Sequence, residues 1–305
     1  MDPSPGFIQA YSDTLHAKYS EDPDGIREAV RVKLVTGKLA NFEVIGGVNM
    51  TAVTSRHQDT PYTPATQTRR RANLVDYAAS DLLDPLDDVK LLISPESEIT
   101  QGLIRAWHRR VARSVMAAAI GSASAVDNAE TVTATALPSA QKIANGTAGM
   151  TMAKVRQAGR ILSNAGCPMA DRHAWVSHYA IEDLLQDSTV TSADFSTLQA
   201  LMHGTFPPGA TFMGFKWHTI SDADPDEGSS GTKTADSILS WASNIRECVF
   251  HHKSALGLAI AKDLTVEIDK RPDKMNARQV LVQTCLGAVR IDDFGVVQVS
   301  IDESV

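Results

Sequence analysis

Cysteine is scarce: Cys167, Cys248 and Cys285 are the three in 305 residues. They lie far apart, are odd in number and form no Cys-x-x-Cys pair, which excludes a disulfide framework and a cysteine-based zinc ribbon. They read as buried thiols of a chain that folds in a reducing compartment. No apolar run reaches the roughly 18 residues that a membrane-spanning helix requires. Met1 to Gly6 has neither the basic nor the apolar region of a secretory signal, so none is expected. Positive charge is also short. There are 29 Lys and Arg against 36 Asp and Glu, a net charge of -7, where a dedicated nucleic-acid binder shows a basic excess. The catalytic signatures G-x-S-x-G, the P-loop, G-x-G-x-x-G behind a strand and H-E-x-x-H are all missing. Asp222, Asp224 and Asp226 open like a calcium loop, but Glu227 stands where the loop needs glycine and Lys233 where it needs glutamate. His251 and His252 are adjacent on a predicted strand, point to opposite faces, and cannot chelate one ion together.

What is present is an ordinary globular composition, 43% hydrophobic and 21% charged, in a chain long enough for one large domain or two intimate ones. Residues 1 to about 30 are polar and turn-rich and read as an extended arm needing a partner surface. A helix or strand follows within Ile26–Leu39, then a strand from Phe42 to Val48. Residues 49–92 are polar, broken by Pro61 and Pro64, basic at Arg69-Arg70-Arg71 and then acidic. So long a stretch is a poor loop in a compact domain, and a two-stranded β-ribbon projecting from the body accounts for it.

Ser94 and Pro95 then open a long helix running to Gly121, with Ile99, Leu103, Trp107, Val111 and Val115 as its apolar stripe. Arg105, Arg109, Arg110 and Arg113 occupy the other face, as a solvated surface or as an inter-subunit or lumen-facing strip. Residues 121–150, rich in Ala, Ser, Thr and Gly, read as a linker. Thr151 caps the next helix, His173–Tyr179 is a strand, a short helix holds Leu184 and Leu185, and Ser192 caps another. Residues 210–220 read as β. Strands are expected at 246–251, 263–270, 278–291 and 295–301, the last two forming a hairpin across Asp292-Asp293-Phe294-Gly295.

The order of parts, arm, ribbon, long helix, mixed lobe and returning strands, resembles the tailed-phage major capsid proteins of the HK-ninety-seven type. The stretches that carry the resemblance are Asp76-Tyr77 with Asp81-Leu82-Leu83-Asp84-Pro85, Leu184-Leu185-Gln186-Asp187 with Val190-Thr191-Ser192-Ala193-Asp194-Phe195, and Lys270-Arg271-Pro272-Asp273-Lys274 with Gly287-Ala288-Val289-Arg290. The resemblance implies an α+β fold with an N-terminal arm (1–40), an extended E-loop (41–92), a peripheral domain with a spine helix (93–145), an axial domain (146–262) and strands returning to the peripheral domain (263–305). It implies pentamers and hexamers of the chain itself in an icosahedral shell around double-stranded DNA, held non-specifically, with a portal, a separate scaffold protein and in some cases a decoration protein. The virion capsid is the expected location, with assembly in the host bacterial cytoplasm. No catalytic residue, cofactor, metal or membrane is implied.

An acidic chain suits a container, since a wall that gripped DNA would hinder its packing and release. The expected inter-subunit contacts are Arg69, Arg70, Arg71, Arg105, Arg109 and Arg113. Some relatives weld subunits through an E-loop lysine, but no lysine stands between Lys38 and Lys90, which predicts no such bond. Only about 40 residues precede the E-loop region, which predicts no long scaffolding segment on this chain. Two alternatives differ in what they predict. An encapsulin-like compartment would close without a portal, and a cytosolic enzyme would assemble a pocket from dispersed residues such as His173, His178 and Asp194.

Overall fold

The computed structural model describes residues 25–56, 58–60, 62–83, 96–127, 129–186, 211–220 and 238–304. The start of the arm, the Ser94-Pro95 cap, the helix expected from Ser192, Asp194 and the acidic loop at 222–234 lie outside these residues. In chain order the strands are β1 (Arg31–Leu34), β2 (Leu39–Ile45), β3 (Gln67–Asn73), β4 (Val75–Leu83), β5 (Ala123–Val126), β6 (Val132–Thr135), β7 (Lys142–Ile143), β8 (Arg172–Ser177), β9 (Lys216–Ile220), β10 (Trp241–Ala242), β11 (Ile245–His252), β12 (Leu256–Arg271), β13 (Ala277–Arg290) and β14 (Val296–Asp302). The helices are α1 (Glu96–Ile120), α2 (Met152–Asn164) and α3 (His178–Gln186).

The long helix forms where the periodicity places it. Trp107, Val111 and Val115 are buried, and Met116 and Ala119 widen the stripe. Each such large side chain contributes about 1.5–3 kcal/mol on burial. The stripe packs on a sheet ordered β1-β12-β13-β4, in which β1 runs parallel to β12 and the other neighbours are antiparallel. β12 and β13 form one long hairpin, turned at Met275 and Asn276, both in the left-handed region at φ 51° and 58°. Its inner half, Leu256–Ile260, is buried, whereas most of Ala261–Lys270 is exposed, so the hairpin and the end of β4 project beyond the helix. No helix among the described residues is long and apolar enough to cross a membrane.

A second sheet is ordered β7-β14-β11-β8-β9, with β10 on β11. Helices α2 and α3 cover it through Val155, Leu162, Ile181 and Leu184. Thr151 caps α2 as expected, accepting from the Lys154 amide. The buried Lys154 ammonium satisfies the loop before that helix by donating to the carbonyls of Asn145, Ala148 and Gly149 at 2.7–2.8 Å. The third sheet, β2-β3-β5-β6, contains the ribbon.

Three expectations need correction. The hairpin across 292–295 does not form: β13 stays in the sheet under α1, while β14 crosses to pair β11 and β7 in the second sheet. The turn residues serve a chain that changes sheets. Residues 121–150 are not a linker, because β5 and β6 extend the ribbon sheet and β7 edges the second. The arm is not wholly dependent on a partner: Ile26, Ala29 and Val30 are buried in the core of its own subunit, and Arg27 lies 5.6 Å over the Trp107 ring while pairing with Asp263.

Candidate functional site

The ribbon and its base form the most distinctive surface. β2 and β3 pair antiparallel from Leu39↔Asn73 to Ile45↔Gln67. Alternation along a strand sends successive side chains to opposite faces, which splits the arginine triplet. Arg70 lies on the inner face with Ala40, Phe42 and Ala72, over Ala259, Val289 and Ile291. Arg69 and Arg71 lie on the outer face. There Arg69 meets Glu43 at 2.9 Å and Glu130 at 3.0 Å, and Arg71 pairs with Glu130 and donates to Asn41 at 3.2 Å.

Arg70 reaches Asp293 at 2.6 Å, with both side chains nearly buried. The other oxygen of Asp293 accepts from Arg290 at 2.6 Å. The Arg290 side chain is fully buried. It donates to the carbonyls of Ala119 (3.0 Å) and Gly121 at the end of α1 and to that of Thr135 in β6 (2.8 Å). One guanidinium thus joins the long helix, the ribbon sheet and, through Asp293, the ribbon itself. Gly287 allows the close crossing, since a Cβ there would run into the Asn73 carbonyl oxygen. Sequence reading missed this hub. Its only signal was Arg290 within the Gly287–Arg290 motif.

Beyond the paired residues the ribbon changes character. Among the described residues 46–66 no strand forms, and Ile45, Val48, Met50, Val53 and Tyr62 are exposed, Met50 completely. On α1, Arg105, Arg109 and Arg113 are half-buried. The Arg113 Nε is buried without a partner. Neighbouring Arg110 stacks 4.0 Å over Tyr77 and donates to its hydroxyl at 2.7 Å.

Of the three residues named for an enzyme, two are among the described residues. His173 is buried in β8, His178 is exposed at the start of α3, and Asp194 is outside the described residues. His173 instead joins a stack in the second sheet. Its Nδ1 is 3.0 Å from the Nε2 of His218, His218 stacks on Trp175 at 4.1 Å, and the Trp175 indole donates to His251 at 3.1 Å. Burial lowers His173 and His218 to about 4 and His251 to about 3. At neutral pH these rings are uncharged, and they act as core aromatics. His251 is buried and His252 is half-buried, in keeping with opposite faces of β11. Among the described residues no group of His, Cys, Asp and Glu is arranged to hold a metal ion.

Comparison with known proteins gives one family and a consistent set of folds. The model of the family described as phage capsid protein matches residues 4–303. No curated protein matches in sequence. Among solved structures, the chain is similar to the capsid of cyanophage Pam1 (TM-score 0.67, 13% identity, 99% of this chain and 98% of that one). It is similar to the capsid of cyanophage P-SCSP1u (0.65, 15%, 97% and 93%). It is also similar to a structure from Mycobacterium phage Che8 (0.63, 16%, 96% and 97%).

Proposed function

The chain belongs to the phage capsid protein family, and from that premise we propose that it is the major subunit of a tailed-phage head, closing as pentamers and hexamers into an icosahedral shell around double-stranded DNA. The family match across residues 4–303 carries the reading. Its HK-ninety-seven-type α+β fold gives each sheet a task. The sheet under α1 and the projecting β12–β13 hairpin serve as the peripheral domain, and the second sheet with α2 and α3 as the axial domain at the centres of the rings. The β2–β3 ribbon is the E-loop. The subunit acts mechanically and not as a catalyst: many modest contacts add up by multivalency, and ordering of the ribbon tip against neighbours takes up part of the binding energy.

Assembly in the host cytoplasm, a portal, a separate scaffold and non-specific lumenal contact with DNA complete the proposal. Arg105, Arg109 and Arg113 on the helix are its inter-subunit candidates, and Arg69, Arg70 and Arg71 act by setting the angle of the ribbon. The ribbon has no lysine, so its contacts stay non-covalent. Denaturing, reducing gels of mature particles are expected to show single chains; a ladder of multimers would contradict this. The test of the reading as a whole is negative-stain electron microscopy of the full chain, alone and with the other head proteins. Closed polyhedral shells, or rings of five and six, are expected. A discrete monomer under both conditions, with the ribbon tip folded on its own body, would refute it.

A further inference from the structure

Between the C-terminal half of α1, the edge strand β4 and β13 lies a cavity of about 620 Å³, a size that suits a small molecule. Arg110 and Arg113 stand three residues apart on α1 and so share a face. Both line the cavity, and the Nε of each is buried with no hydrogen-bond partner. Tyr77 holds Arg110, which stacks 4.0 Å over its ring and donates to its hydroxyl at 2.7 Å. Arg113 makes no ion pair among the described residues. The carboxylate on the lining, Glu247, accepts from Gln298 at 2.7 Å. The lining therefore carries two positive charges against one negative. Buried donors left unpaired cost free energy, so the guanidinium end of the cavity favours an anion.

The other end is apolar. Met116 and Ile120 continue the face of Arg113 along α1, with Ile120 about 10 Å further along the helix, and Val75 and Leu286 wall the opposite side. A bare phosphate would satisfy the arginines and leave these walls in water. We infer that the cavity is a binding site for a medium-chain alkyl carboxylate, with the carboxylate between Arg110 and Arg113 and the chain running toward Ile120. The site lies within one chain and does not rest on the shell reading. It assigns Arg113 to a ligand and leaves Arg105 and Arg109 as the inter-subunit candidates on the helix.

The test is calorimetric titration of the purified full chain with decanoate below its micelle concentration. Saturable binding at a single site per chain is expected. Acetate carries the charge without the chain, and decanol the chain without the charge. Each is expected to bind at least about tenfold more weakly than decanoate. Arg113→Gln is expected to weaken decanoate about tenfold and to leave decanol unchanged. Ala117→Phe, at an exposed helix position on the lining, fills the cavity and is expected to abolish binding of both. Equal affinity of the unaltered chain for decanoate and decanol would overturn the guanidinium seat, and this comparison needs no variant. Decanoate binding that survives both substitutions would place the ligand elsewhere and overturn the site. Inorganic phosphate bound more tightly than decanoate would overturn the alkyl carboxylate in favour of a plain anion, and no binding of decanoate at all would overturn the inference outright.

Discussion

The second sheet and the ribbon sheet are held together in opposite ways. The lobe of β7, β8, β9, β11 and β14 is completed inside one chain. Its core is apolar, its histidines are uncharged and stacked, and its buried ion pair, Arg246 with Glu303, is enclosed, with Glu303 also accepting from Ser177 at 2.9 Å. The ribbon is anchored by charge at its base and leaves its apolar residues in water at its tip. A small sheet with one face on the body has little core to bury, so buried guanidinium bonds fix its direction while the tip remains available. The lobe is thus the self-contained part of the subunit, and on the proposed reading the ribbon is the part that meets others.

The largest break in this contrast is expected from Arg290→Ala. It removes one of the two guanidinium partners of Asp293, which keeps Arg70, and the shared donor to the carbonyls of Ala119, Gly121 and Thr135, at a cost of about 3–5 kcal/mol for a broken buried pair. Chemical unfolding measures it, and a loss below about 1 kcal/mol would mean that Arg290 is not the anchor. Acid tests the other region. An unfolded imidazole titrates near 6.5, and the folded values are about 4 for His173 and His218 and about 3 for His251. Folded-state values that are depressed for a base mean that the unfolded chain binds protons first, so stability falls as pH drops from about 6.5 toward 4. One such imidazole contributes about 3 kcal/mol by the end of that window. A flat stability curve between pH 7 and 4 would contradict the buried, neutral stack.

Two smaller substitutions sharpen the comparison. Thr151→Ala removes the cap of α2 and is expected to cost about 1 kcal/mol in the lobe. Arg69→Ala removes the partly exposed pairs on the outer face of the ribbon and is expected to cost well under about 1 kcal/mol. If Arg69 proved as costly as Arg290, the division between a buried anchor and a solvated face would fail.

Much of this was legible locally. The stripe through Trp107, Val111 and Val115 placed the long helix, and β-branched runs placed β11, β12 and β13 within one to seven residues at their ends. What failed was non-local. Asp292-Asp293-Phe294-Gly295 carries the same turn signal whether the next strand pairs with the previous one or leaves for another sheet. β5 and β6 were hidden because Ala, Ser and Thr strands that edge a ribbon bury little, in this case Ala123 and Val126. Arg70 and Arg290 are distant in sequence, so their meeting at Asp293 had no local trace. The alternation that separates Arg70 from Arg69 and Arg71 was readable in principle, once the triplet was taken as strand.

Hydrogen exchange by mass spectrometry, comparing free subunits with assembled particles, tests the central claim most directly, because it reads both regions in one experiment. The account predicts that residues 46–66 exchange rapidly in the free subunit and become protected on assembly, while β8 and β11 are protected equally in both. Residues 46–66 already protected in the free subunit, or still unprotected in the particle, would contradict it.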